Sequence, residues 1–165
     1  MKARREGRDK TRPEPTAYQR ALGLLVRREH SRKELTRKLK SKGVESDEAD
    51  TALEKLARQD FQNDARFAEA LARTRAASGF GPVRIRAELG THGLSRDDID
   101  AALDTCDTDW SKSARGLIDR RYGDKDLGDP ALRRKAVDFL LRRGFDQKTA
   151  YAQVRQRPDE DEFED

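Results

Sequence analysis

Arg84-Ile85-Arg86-Ala87-Glu88-Leu89-Gly90-Thr91-His92-Gly93-Leu94 is the stretch on which the fold turns. Ile85 and Leu89 stand eight and four positions ahead of Gly93, and Leu94 follows it. Apolar residues four apart share one helical face. The glycine then closes the helix in left-handed backbone without a Cβ clash, and the next apolar residue packs back over the last turn. The pattern occurs twice more, in Glu34-Leu35-Thr36-Arg37-Lys38-Leu39-Lys40-Ser41-Lys42-Gly43-Val44 and in Lys135-Ala136-Val137-Asp138-Phe139-Leu140-Leu141-Arg142-Arg143-Gly144-Phe145. The three glycines lie 50 and 51 residues apart. A fixed period of that length marks a repeat architecture.

Each motif has a helix on either side. After the glycines, Ser46, Ser95 and Asp146 are candidate caps. Ala49, Ala52, Leu53 and Leu56 then take positions i, i+3, i+4 and i+7, as do Ile99, Ala102, Leu103 and Cys106. In the last copy Ala150 and Val154 continue the stripe but Gln153 and Arg157 break it, which predicts a half-exposed end cap. Before the motifs run Tyr18, Ala21, Leu22, Leu25 and Val26, then Phe67, Ala70 and Leu71, then Trp110, Ala114, Leu117, Ile118 and Tyr122. Ser31 with Glu34 reads as a capping box, and Gly81-Pro82 and Asp129-Pro130 as helix starts. No alternating run suggests a strand.

The expectation is an all-α protein of three tandem three-helix repeats, nine helices in all, stacked into an elongated, curved rod. The repeats span residues 17–62, 63–109 and 110–157. They are flanked by a disordered basic segment over 1–16 and an acidic disordered tail over 158–165. The composition agrees: 34 % of the 165 residues are hydrophobic and 41 % charged. Average soluble proteins are about 45–50 % apolar and about 25 % charged, so several small cores suit this chain better than one large one.

Charge follows the repeat. Tyr18 to Gly43 carries +7, Val44 to Asp64 −5, Ala65 to Gly93 +3, Leu94 to Asp109 −5, Trp110 to Arg143 +5 and the tail −6. First and second helices are basic, and third helices of the first two repeats are acidic. A basic stripe suits phosphates or an acidic groove; an acidic stripe suits a basic protein surface.

Catalytic groups are scarce. His30 and His92 stand at helix ends among basic residues and read as exposed capping residues. Cys106, the one cysteine, takes the place of Leu56 in the repeat and reads as a small core residue. It excludes an intramolecular disulfide and fits a reducing compartment. Asp97, Asp98, Asp100 and Asp104 lie early in a helix, where the dipole favours them, and their spacing is not that of a calcium loop. Gly79-Phe80-Gly81-Pro82 follows no strand and is not a phosphate loop. Trp110 reads as core between the second and third repeats. The N-terminus has no apolar segment of a signal peptide, and Ala21 to Val26 is too short to span a bilayer. These readings predict a cytoplasmic protein that is no enzyme and needs no cofactor or metal.

Asn63-Asp64-Ala65-Arg66-Phe67-Ala68, with Arg73, Arg75 and then Gly79-Phe80-Gly81-Pro82-Val83-Arg84-Ile85-Arg86-Ala87-Glu88-Leu89, resembles the signature of the bacterial RecX regulatory proteins. So does the frame around it, His30-Ser31-Arg32-Lys33-Glu34-Leu35 and Phe139-Leu140-Leu141-Arg142-Arg143-Gly144-Phe145. The resemblance runs from about Ala17 to Gln156. Asn63-Asp64 stands where family members often have two aspartates, a change that keeps the helix cap. The resemblance implies three tandem three-helix repeats and a regulator of DNA repair, recombination and the SOS response. Such a protein binds the recombinase RecA, lies in the groove of its filament on single-stranded DNA, and lowers ATP hydrolysis, strand exchange and co-protease activity. The implied partners are RecA and that filament, with weak direct DNA binding, no membrane and a monomeric state; the competing reading is a general nucleic-acid-binding helical protein. The expected contacts are Arg66, Arg73, Arg75, Arg84 and Arg86 in the centre, flanked by Arg32, Lys33, Arg37, Arg133, Arg134, Arg142 and Arg143.

Overall fold

The computed structural model describes residues 13–155, so the expectations for residues 1–12 and for the tail over 158–165 lie outside the described residues. Those residues fold into helices α1 (Ala17–Leu25), α2 (Arg32–Lys40), α3 (Ser46–Arg58), α4 (Asp64–Ala77), α5 (Pro82–Thr91), α6 (Arg96–Asp104), α7 (Trp110–Tyr122), α8 (Pro130–Arg143) and α9 (Gln147–Arg155). Among the described residues there is no strand, and no helix is long and apolar enough to cross a membrane.

The chain divides after Asn63 into two compact units. The first holds α1, α2 and α3, whose shared core is Ala17, Ala21, Leu35, Leu39, Ala49, Ala52, Leu53 and Leu56. Val26, expected on the apolar stripe of α1, caps that helix instead and is exposed. The N-cap of α3 is Glu45 without a side-chain bond, and Ser46 is already helical. Ser31 does cap α2, accepting from the Glu34 N–H at 3.1 Å. The Glu34 carboxylate does not close a box; it turns to the Arg28, His30 and Lys38 side chains. His30 is therefore no exposed cap but a buried residue. Its carbonyl accepts from Gln62 Nε2 at 3.4 Å, which ties the α1–α2 turn to the end of the unit.

The second unit holds two helix triples, α4–α6 and α7–α9. Phe67, Ala68, Ala72, Ile85, Leu89, Ile99, Ala102 and Leu103 fill the first, and Cys106 packs against them with its thiol pushed up by burial. Ala114, Leu117, Ile118, Tyr122, Ala136, Val137, Phe139, Leu140, Phe145, Ala150 and Val154 belong to the second. Trp110 touches both cores, as its place at the head of an apolar stripe predicts. Gln153 does not break the stripe of α9; it is buried, and Arg115 Nη1 donates to its carbonyl at 3.1 Å. His92 is the half-buried C-cap of α5, tilted over Phe67 with centroids 4.7 Å apart.

The three motif glycines do end their helices in left-handed backbone, with φ of +79° at Gly43, +76° at Gly93 and +93° at Gly144. At Gly144 the reason goes beyond backbone freedom. The loop Gly79-Phe80-Gly81 leads into α5 with no capping side chain. The first N–H groups of α5 find partners on another helix: Gly81 N–H donates to the Arg143 carbonyl at 2.8 Å and Val83 N–H to the Gly144 carbonyl at 2.9 Å. Orphan donors at one helix start thus meet orphan acceptors at another helix end, and the partial positive charge of the one faces the partial negative charge of the other. The approach leaves no room for a Cβ. One on Gly144 would stand 2.2 Å from the Arg84 Cβ, and one on Gly81 2.4 Å from the Gly144 oxygen.

Candidate interaction surface

The expected contact residues divide by what already holds them. In the first unit, Arg32 approaches Asp50 at 3.7 Å, joining α2 to the acidic α3. Lys33 is exposed at the start of α2 and Arg37 in its last turn. Arg86 pairs with Asp100, joining α5 to the acidic α6. Asp50 and Asp100 are equivalent in the repeat, so the basic and acidic courses expected from the charge pattern meet within each of these triples.

Four further arginines are engaged in various ways. Arg75 makes a two-pronged bond to Glu88, with Nε and Nη2 each 2.8 Å from a carboxylate oxygen. These hydrogen bonds from Arg75 hold the Glu88 carboxyl below the usual range, outweighing burial. Arg73 lies 3.6 Å from Glu69 one turn back, an exposed pair of small worth. Arg133 donates from Nε to the Leu127 carbonyl at 3.0 Å and from Nη2 to that of Gly128 at 3.2 Å, closing the loop ahead of α8. Arg66 is half-buried in the first turn of α4 and makes its own contacts.

Arg84, Arg134, Arg142 and Arg143 have no carboxylate within ion-pair distance among the described residues, and neither do Lys33 and Arg37. The joint between α5 and α8 brings two of them together. Arg84 lies over the Phe80 ring, 4.4 Å from its centroid, and Arg143 lies over the same ring at 5.2 Å. Arg143 also faces Phe139 at 5.7 Å, and Arg121 faces Phe139 at 4.7 Å. The result is a ladder of alternating guanidinium and phenyl groups, Arg84–Phe80–Arg143–Phe139–Arg121, across the joint. Beside it an open groove of about 570 Å³ is lined by Arg75, Phe80, Arg84, Ala87, Glu88 and Thr91.

Phe80, Phe139 and Arg121 were not among the expected contacts. The sequence does hold a signal for part of the ladder: Phe80 precedes Arg84, and Phe139 precedes Arg143, by four positions each. On α8 that spacing sets Phe139 and Arg143 one above the other, whereas Phe80 stands in the loop before α5 and meets Arg84 from there. The link between the two pairs depends on the docking of α5 on α8.

Two family models match the chain: residues 17–56 match the first three-helix domain of RecX, and residues 63–103 match the second. The chain is 53 % identical over 154 residues to the regulatory protein RecX of Stenotrophomonas maltophilia (strain R551-3), which covers 93 % of this chain and 94 % of that protein. It is 55 % identical over 145 residues to the regulatory protein RecX of Xanthomonas oryzae pv. oryzae (strain MAFF 311018), covering 88 % and 91 %. Among solved structures it resembles RecX from Lactobacillus salivarius, with a TM-score of 0.71 at 26 % identity over 84 % of this chain and 92 % of that one. A second crystal structure of a regulatory protein RecX gives a TM-score of 0.72 at 25 % identity over 86 % of this chain and 70 % of that one.

Proposed function

This chain belongs to the RecX family of regulatory proteins, and from that premise we propose that it binds RecA and the RecA filament on single-stranded DNA and restrains them. Its effect is to lower RecA ATP hydrolysis, strand exchange and co-protease activity, and so to limit recombination and the SOS response. It acts as a monomer in the cytoplasm through contacts spread over helix surfaces.

The observation that supports a polymer ligand is the set of cations that make no ion pair. Lys33, Arg37, Arg84, Arg134, Arg142 and Arg143 stand on helices of both units, and none has a carboxylate within ion-pair distance among the described residues. Charges left open on a highly charged protein suit a partner that brings the opposite charge. The proposed action is binding alone.

The test is the DNA-dependent ATPase of RecA, with this protein titrated from far below one copy per RecA. Suppression at substoichiometric amounts is the expected result. Suppression that needs enough protein to coat the DNA, and that excess single strand relieves, would leave only a general nucleic-acid binder. The pairing pattern adds a ranking. Arg84→Ala should raise the half-inhibitory concentration several-fold, and Arg86→Ala should raise it less, because Arg86 already spends its charge on Asp100. Far-UV circular dichroism should show full helicity for both variants.

A further inference from the structure

We propose that the acidic segment 158–165 of this same chain docks on the joint between α5 and α8, with Phe163 in the groove beside Phe80 and its carboxylates on the arginines around it, and so shields that surface from other anions. The inference goes beyond the function proposed above and does not depend on RecA. It concerns which part of the chain itself covers the open arginines.

Three observations converge on it. The first is complementarity of charge. Pro158-Asp159-Glu160-Asp161-Glu162-Phe163-Glu164-Asp165 holds six carboxylates and no cation. α8 has five basic residues and one acidic one, and α7 has four and one. Arg84, Arg121, Arg142 and Arg143 have no carboxylate within ion-pair distance among the described residues. Ring faces hold three of them: Arg84 and Arg143 lie over Phe80 at 4.4 and 5.2 Å, and Arg121 over Phe139 at 4.7 Å. Arg84 and Arg121 are exposed, so their N–H edges face solvent. A guanidinium fork matches a carboxylate with two parallel hydrogen bonds.

The second observation is shape. Phe163 is the one aromatic side chain in the segment, and it stands among the carboxylates rather than apart from them. The open groove of about 570 Å³ gives such a ring a place against Phe80, Ala87 and the Arg84 plane. Phenyl rings pack on one another and under guanidinium groups. The groove's own carboxylate, Glu88, is already met by the two-pronged bond from Arg75. An acidic stretch without an aromatic ring would find every basic helix equally good; Phe163 selects the one with a ring-lined groove.

The third is reach. Gly144, which packs against Arg84, lies three residues ahead of α9. Those three residues cover at most about 11 Å, and α9 rises about 13 Å. Arg155 therefore lies within about 24 Å of Gly144 at any helix angle. Arg115 holds the last turn of α9 through the Gln153 carbonyl at 3.1 Å, so the segment starts from a fixed point of the second unit. Phe163, eight residues further on, extends up to about 28 Å from Arg155 and reaches the joint with no helix displaced. A ligand tethered this closely acts at an effective concentration of roughly 1 mM. A contact with a Kd of about 0.1 mM between separate molecules would then cover the surface about nine-tenths of the time.

The experiment uses the full chain and two variants. Phe163→Ala keeps every charge; Asp159→Asn with Glu160→Gln, Asp161→Asn and Glu162→Gln keeps the ring and removes four carboxylates. Both sets of substitutions lie beyond α9, so far-UV circular dichroism should match wild type. In NMR spectra the Ala87 and Thr91 methyl signals and the Arg84 amide should move in both variants, by the same amount at every protein concentration. Unchanged signals at these three residues would overturn the proposal. So would changes confined to the surroundings of Lys33 and Arg37 on α2, which put the segment on the first unit, and changes that fade on dilution, which assign the contact to a second copy. Polyphosphate, a polyanion without bases, supplies the second readout. Release of a segment that covers the surface about nine-tenths of the time should tighten polyphosphate binding by up to about tenfold. Phe163→Ala should show a several-fold gain at unchanged net charge, and wild-type affinity in that variant would refute the shielding. Neither measurement contains RecA. Wild-type protein that leaves RecA untouched therefore refutes the proposed function and leaves the docking standing, whereas a segment that does not dock leaves the proposed function standing.

Discussion

Gly144→Ala should destabilise the second unit by about 3–4 kcal/mol, whereas Gly43→Ala should cost the first unit only about 1 kcal/mol. Both glycines end the second helix of a triple, and both have positive φ, +93° and +79°. A left-handed alanine alone costs about 1–2 kcal/mol. The difference lies in what the new methyl group meets. At Gly43 nothing stands within 4 Å of the added Cβ. At Gly144 the Arg84 Cβ is 2.2 Å away and the Arg84 nitrogen 2.7 Å away. Backbone cannot swing aside as a flexible side chain does, so α5 and α8 must separate. The bonds from Gly81 and Val83 to the Arg143 and Gly144 carbonyls lengthen or break with them. Trp110 touches the cores on both sides, so its fluorescence reports the event directly. Urea denaturation followed through Trp110 should show the loss for Gly144→Ala, and the same denaturation followed by far-UV circular dichroism should show the smaller loss for Gly43→Ala in the first unit. A Gly144→Ala midpoint shifted no further than that of Gly43→Ala would refute the packing role of this glycine.

The same contrast shows how far the sequence could be read. The glycine period identifies helices and their ends, because a left-handed cap is a local requirement that a single residue expresses. Leu35 and Leu39, Ile85 and Leu89, Ala136 and Leu140 announce their buried faces through spacing alone, and the cores contain all six. What is not local is not legible. Nothing around Gly144 says that it meets Arg84, because the two are sixty positions apart and become neighbours only when α5 docks on α8. His30 and Gln153 show the same limit from the other side. Each is polar and reads as exposed, yet each is buried because neighbouring segments close over it. The Gln153 carbonyl then has a donor in Arg115, on another helix.

The candidate contacts were legible as residue types and much less so as a site. Twelve cations were expected; the structure separates those that serve the fold, such as Arg75 and Arg133, from those left open, such as Arg84 and Arg143. Only the tertiary fold makes that separation, since a carboxylate partner is usually distant in sequence. Glu88 is thirteen positions from Arg75, and Asp100 fourteen from Arg86.

Glu34→Gln should lower the stability of the first unit at pH 7 by about 2 kcal/mol and flatten its acid limb. The Glu34 side chain is 9 % exposed and lies against two cations, Arg28 Nη2 at 2.6 Å and Lys38 Nζ at 3.3 Å, and beside the His30 imidazole, whose Nδ1 is 3.0 Å away in an oblique approach. Burial alone would raise its pKa. The hydrogen bonds from Arg28, with the close approach of His30, outweigh burial and bring the carboxyl down to about 2. A group whose folded pKa lies below its unfolded value stabilises the fold at higher pH. That stability is lost as pH falls from about 4.5 towards 2. The full shift corresponds to about 3.4 kcal/mol, which we reduce because Arg28 is half in solvent and screened. His30 acts in the same sense. Burial lowers its pKa beneath 6.5, against the pull of Glu34, so the fold begins to weaken as pH drops below 6.5. The first unit should therefore unfold in acid with two contributions, His30 first and Glu34 later. Far-UV circular dichroism senses both units, whereas Trp110 senses only the second. Acid titration of wild type should show loss of helix with the Trp110 signal still native. In Glu34→Gln the lower part of that loss, from about pH 4.5 downward, should disappear, and the two proteins should converge in stability near pH 2. Parallel curves offset by a constant amount across that range would mean that the carboxylate charge contributes nothing and that only its shape matters.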